Sequence, residues 1–152
     1  MAKKQRAKLG AFVKIPFGDG IHGYGRILTA PLFAFYDVKT DQDLSIADIE
    51  SKPVLFKLWV MRRAITSGRW EIIGVAPLDV ELRNEPCFYK QDPINGKIGI
   101  YHQGHEIPAT REECDGLECA AVWDVEHVED RLKDHYEGNP NKWVESMRIR
   151  VP

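Results

Sequence analysis

The sequence predicts a mostly β domain of the α+β class: a single curved or barrel-like antiparallel sheet built from hairpins, with one substantial C-terminal helix. Three observations carry this. Short β-rich runs alternate with glycine, proline and asparagine punctuation from residue 10 to residue 101. The second run interleaves His22, Tyr24 and Arg26 with Gly23, Gly25 and Ile27, and glycine within a strand marks a sharp bend or the close approach of another backbone. Only one segment, beginning at Val125, sustains a helical period.

Along the chain, residues 11–16, 24–29 and 32–38 read as strands, the first two joined by Gly18-Asp19-Gly20, residues that tolerate positive φ in a tight turn. Residues 45–48 form a helical turn capped by Ser45 with Ile46 and Ile49 turned inward, and Pro53 ends it. Runs 54–61 and 70–76 are β-rich, and their proximity in sequence suggests that they pair antiparallel. Runs 86–90 and 97–101 flank Asn95-Gly96, a strong hairpin signal. Thr110 and Glu113 match a capping box, with Gly116 limiting the helix to a turn or two, and 117–123 reads as strand.

After Asp124 as N-cap, Val125, Val128, Leu132 and Tyr136 fall on one helical face until Gly138 and Pro140 stop it. The alternation of Ser146, Arg148 and Arg150 with Met147, Ile149 and Val151 suggests a closing strand over 143–151. With 152 residues, 43% hydrophobic and no repeat or linker, the chain reads as a basic, flexible arm over 1–9 and one domain over 10–152.

Composition excludes a disordered chain, and no apolar run approaches the ~18 residues of a membrane span. The basic N-terminus leads into no secretory core segment, and three cysteines, an odd number, suit reduced thiols; the expected location is the cytoplasm. Five histidines and Ser67, Cys87 or Cys114 offer bases and nucleophiles, but none lies in a recognised catalytic setting, and Gly18 to Gly23 lacks the Lys-Ser/Thr ending of a phosphate loop. His102, His105, Cys114 and Cys119 are zinc-competent and close in sequence, yet their spacing fits no standard site, so no metal or cofactor is assigned.

The net charge of −2 hides an asymmetry. Residues 1–8 carry four bases and no acid, while 111–137 carry ten acids against three bases. On the helix, Glu126, Glu129, Asp130, Asp134 and Glu137 form an acidic face suited to a basic protein partner, with Trp123 or Tyr136 as aromatic anchors if exposed. Nucleic acid is a poor fit, because the remaining bases are scattered.

Gly10, Ile15, Pro16, Asp19, Gly20, Tyr24, Gly25 and Arg26, in this order and spacing, resemble the opening of the immunity protein 26 family of bacterial polymorphic toxin systems. Arg69-Trp70, Gly74 and Pro77-Leu78 are similar to its tryptophan strand and exit, and Phe17 stands where the family often has Leu. The resemblance implies a non-enzymatic, mostly β protein that binds and blocks a cognate toxin domain, a nuclease being one candidate. The family's toxins are diverse, so the resemblance carries over no binding residue. An SH3-like or Tudor-like binding module is the alternative; it requires Tyr24, Trp59 and Trp70 to be exposed together.

Overall fold

The computed structural model describes residues 4–151. The protein is α+β, as expected, but its strands divide between two sheets and neither closes into a barrel. The larger sheet begins with an antiparallel meander of β1 (Ala11–Gly18), β2 (Ile21–Ile27) and β3 (Leu32–Tyr36). Its first turn places Gly18, Asp19 and Gly20 all at positive φ. After α1 (Ile46–Glu50), whose first turn is capped by Ser45 Oγ accepting from Asp48 N–H at 3.1 Å, β4 (Val54–Val60) pairs with β3.

The chain then turns through α2 (Arg63–Thr66) into β5 (Glu71–Val75). The expected pairing of 54–61 with 70–76 does not form: β5 pairs with β1 at the opposite edge, giving the order β4-β3-β2-β1-β5. What brings the start of β5 near β3 is curvature. In a flat sheet β5 would lie three spacings, about 14 Å, from β3, yet the Trp70 ring packs edge-on against Phe33 and Phe35 of β3 at 5.6 and 5.7 Å. The sheet therefore curls around Trp70, which is fully buried.

Gly10 makes this curl possible. Its φ is +83°, and a Cβ there would stand 2.2 Å from the Ala76 carbonyl oxygen. Arg26, 2% exposed, reaches the same point: Nε donates to Gly10 O, and Nη2 donates to Ala76 O and Pro77 O at 2.7 and 3.1 Å. Its guanidinium also lies 4.2 Å from the centre of the Phe12 ring. A buried cation is thus held by carbonyl dipoles and an aromatic face, and it closes β5 onto β1.

The smaller sheet follows α3 (Val80–Arg83) and has the order β8-β7-β6-β9, formed by β6 (Phe88–Gln91), β7 (Ile98–His102), β8 (His105–Pro108) and β9 (Glu118–Cys119). The β6–β7 hairpin forms as expected, but Asp92 closes it, accepting from the N–H groups of Ile94 and Asn95, with Gly96 alone left-handed between the two strands. Thr110 and Glu113 make the reciprocal capping box, opening one 3-10 turn over Glu112–Cys114. Residues 117–123 are not one strand. β9 pairs parallel with β6, and β10 (Val122–Trp123) pairs parallel with β4, so this run ties the two sheets together. The sheets also meet through Trp59, which packs on Phe88 and Tyr101 at 4.3 and 5.5 Å.

The helix α4 (Val125–Glu137) forms as the periodicity predicts, ending at left-handed Gly138. It lies in the concavity, where Val125, Val128 and Leu132 join Trp70, Phe33, Phe35 and Leu58 in the main core. The expected closing strand is instead α5 (Lys142–Ser146) and an extended tail. Asn141 Oδ1 caps the Trp143 and Val144 N–H groups, and Trp143, Val144 and Met147 turn one helical face to the core. The tail is pinned by Tyr89, whose hydroxyl donates to Met147 O, and by Gln91, bonded twice to Arg150. Of the basic arm, residues 1–3 lie outside the described residues. Gln5 docks by three hydrogen bonds, to Ile65 O, Trp70 O and Ile72 N–H.

Replacing Arg26 with Met, which keeps the bulk but leaves its carbonyl partners unsatisfied, is expected to lower unfolding stability in urea by about 3 kcal/mol. Arg26→Lys is expected to recover little of it, since an ammonium cannot fork between three carbonyls. Burial, reinforced by Cys119 and Glu118, pushes the Tyr89 hydroxyl up to about 12. The unfolded side chain titrates near ~10, so this contribution is full below pH ~10 and is lost as pH rises towards ~12. Thermal melts across that range are expected to fall less steeply for Tyr89→Phe.

Candidate functional site

Two of the partner-binding candidates, Glu129 and Trp123, turn inward. Glu129 is 5% exposed. Its carboxylate accepts from Trp70 Nε1 at 2.9 Å and, in a two-pronged pair, from Arg69 Nε and Nη2 at 2.9 and 2.6 Å. Such a bidentate pair with a further neutral donor satisfies a buried carboxylate, so Glu129 anchors the helix and is closed to a partner. Trp123 is 4% exposed, packed in the main core with the Arg131 guanidinium 5.2 Å from its ring centre. Trp123 therefore cannot serve as a surface anchor. Tyr136 is half-buried against Phe17, and burial together with Asp37 raises its hydroxyl pKa.

Glu126 is met by two cations. It pairs with Arg63 and lies 3.6 Å from Arg69, sharing Arg63 with the N-cap residue Asp124. The Arg63 guanidinium holds the Asp124 carboxyl below its usual range, and the carboxylate also accepts from Val125 N–H. Glu118 is likewise met by Arg131, twice, at 2.7 and 2.9 Å. Four of the ten acids read from 111–137 are thus ion-paired within the fold.

Asp130, Asp134 and Glu137 differ. Each accepts from a neutral donor: Trp143 Nε1 at 3.2 Å, Asn141 Nδ2 at 2.9 Å and Asn139 Nδ2 at 3.2 Å, respectively. The bonds orient the carboxylates without cancelling their charge. All three line one open depression of about 410 Å³ between α4 and α5, with Lys133, Lys142 and Trp143 on its walls. Neither lysine is in ion-pair contact among the described residues. Lys142 Nζ sits 4.5 Å from the Trp143 ring centre, and the His127 ring stacks on that indole at 3.5 Å.

The other candidates separate. His102 and His105 face each other across the β7–β8 hairpin, with His102 Nε2 3.0 Å from Glu85 O. Cys114 is buried at the end of the 3-10 turn and Cys119 lies on β9; burial raises the pKa of both thiols, keeping them protonated. Among the described residues no three His, Cys, Asp or Glu side chains are placed to hold a metal ion. Tyr24 and Trp70 are buried and Trp59 faces the smaller sheet, so the three do not form the exposed groove an SH3-like or Tudor-like module needs. Among the described residues no helix is long and apolar enough to cross a membrane.

A family model described as immunity protein 26 matches residues 8–99. The chain belongs to the immunity protein 26 family. Neither a curated protein nor a solved structure matches it. The matched stretch of this immunity protein 26 member runs from three residues before β1 into β7, so it contains Gly10, Arg26 and Trp70 but not α4. Membership implies a protein that binds a cognate toxin.

Sequence reasoning missed Arg63, Arg69 and Trp143, which decide the fate of the helix acids from distances of 13 to 63 residues along the chain. No local pattern signals such pairs, although Asn141 before an apolar run is a readable cap. Truncating Glu129 to Ala is expected to cost about 3–5 kcal/mol in denaturant unfolding. Glu137→Ala, at an exposed helix end, is expected to stay within about 0.5 kcal/mol of the parent.

Proposed function

We propose that the chain is the immunity component of a bacterial polymorphic toxin pair: a non-enzymatic inhibitor that neutralises its toxin domain by holding a basic surface of it against the outer side of α4. The observation carrying this reading is the trio Asp130, Asp134 and Glu137, three oriented carboxylates bonded only by neutral donors around one open depression. Charge fixed in this way attracts a cationic partner at long range and needs little reordering on contact. Its position beyond the stretch that matches the family model also supports it, since the family's common fold need not specify a partner.

A nuclease toxin suits such a surface. A protein that binds a phosphate backbone presents clustered Lys and Arg, and three spaced carboxylates can occupy that groove in place of phosphates. The encounter takes place in the cytoplasm, where a nucleic-acid-cleaving toxin acts.

The test uses a cognate toxin domain, sought among the genes adjoining the one that encodes this chain. With Asp130→Asn, Asp134→Asn and Glu137→Gln combined, the side chains keep an acceptor oxygen and lose the charge. The association rate measured by stopped flow at low salt is expected to fall at least about tenfold, with an unchanged circular dichroism spectrum. An unchanged rate would place the interface elsewhere.

A further inference from the structure

A second surface, remote in sign from the acidic depression, stands at the end of the larger sheet where the arm crosses it. A cavity of about 290 Å³ opens there into the main core. Its floor is Ile27, Phe33, Val60 and Ile65, all buried, and its mouth includes Met61 and Val122, exposed by 44% and 52%. An apolar hole that reaches the core and ends in exposed methyl and thioether groups is shaped for an inserted side chain, since binding energy concentrates in such pockets.

The lining carries one cation, and two more flank it in the chain. Arg62 lines the cavity, as does Ala7, which is flanked in the arm by Arg6 and Lys8. The Gln5 side chain, bonded to Ile65 O, Trp70 O and Ile72 N–H, fixes this part of the arm beside the opening. Arg6, Lys8 and Arg62 are exposed, and among the described residues none is within ion-pair distance of a carboxylate. Asp124 and Glu126, just beyond Val122, are already taken by Arg63. Arg62 on the wall and the exposed Arg6 and Lys8 on either side of Ala7, none of them ion-paired among the described residues, complement one chemistry beside this apolar cavity: a large apolar side chain flanked by carboxylates.

We propose that this cavity is the docking site for an extended acidic segment of a partner protein, which seats one Leu, Met, Phe or Trp side chain between Met61 and Val122 and pairs its acids with Arg6, Lys8 and Arg62. The apolar anchor supplies the affinity, and the fixed charges select the flanking sequence and set the register. The site is distinct from the α4 surface and does not depend on the reading given to it.

Selection of phage-displayed random peptides on the full-length protein, followed by fluorescence anisotropy of the best labelled peptide, tests this. The recovered sequences are expected to share one large apolar residue between at least two acids. Affinity is expected to fall about tenfold or more in Val122→Glu and in Met61→Glu, each verified as folded by circular dichroism, and in the pair Arg6→Glu, Lys8→Glu. It is also expected to weaken as salt rises from about 50 to 300 mM, and to be unchanged in Asp134→Asn. Recovery of no peptide, a neutral or basic consensus, or binding indifferent to both Val122→Glu and Met61→Glu overturns the proposal. So does displacement of the peptide by an equimolar single-stranded oligonucleotide, which would make the surface a phosphate site.

Discussion

The carboxylate of Glu129 is the point on which the arrangement turns. Trp70 fills the concavity of the larger sheet, edge-on to Phe33 and Phe35, and its indole N–H would be left without a partner in that interior. Glu129 supplies the acceptor, and Arg69, the residue before Trp70, supplies the compensating charge. One acid thus satisfies a buried donor, seats α4 in the sheet and fixes the rotation of the helix about its axis. At roughly 100° per residue, Asp130, Asp134 and Glu137 then lie within about 60° of one another on the side away from the core. The surface trio is set by the buried anchor.

Two buried charges serve opposite ends of the curl. Glu129 has a guanidinium as partner; Arg26 has only carbonyls and the Phe12 ring. The difference follows from what each must join. Arg26 gathers backbone at Gly10, Ala76 and Pro77, where no side chain has room to intervene, as the 2.2 Å clearance at Gly10 shows. Glu129 joins a helix to a strand, and side chains bridge that larger gap. Both solutions fill the hydrogen-bonding capacity of an ion inside the fold, the condition under which burial of charge is tolerated.

Signals confined to a few residues were legible in the sequence. The turn at Gly18 to Gly20, the Ser45 cap, the Thr110–Glu113 box and the limits of α4 each follow from local backbone chemistry, and each is present. Whatever depended on distant partners was not. The placement of β5 beside β1 is dictated by curvature around Trp70, and the inward turn of Glu129 by Arg69, 60 residues away. The tail misled for a different reason: Met147, Ile149 and Val151 alternate as a strand would, but Trp143, Val144 and Met147 equally fit a helix, and the Asn141 cap decides between them. Asn95-Gly96 marked a real hairpin, though the work of closing it falls to Asp92.

An inhibitor that acts by binding alone gains from surfaces that are already in place, because every side chain ordered on contact subtracts from affinity. For the proposed role, the neutral donors around α4 would meet this requirement in a way ion pairs could not. Had Asp130, Asp134 and Glu137 been held by arginines, as Glu126 and Glu118 are, they would be equally rigid and electrostatically spent. An indole and two carboxamides orient the same oxygens without pairing them, so their charge is offset only in part, by Lys133 and Lys142 on the walls of the depression. The separation of roles along one helix, arginines for Glu126 and Glu129 and neutral donors for Asp130, Asp134 and Glu137, is the physical support for the proposal that these three residues meet a partner.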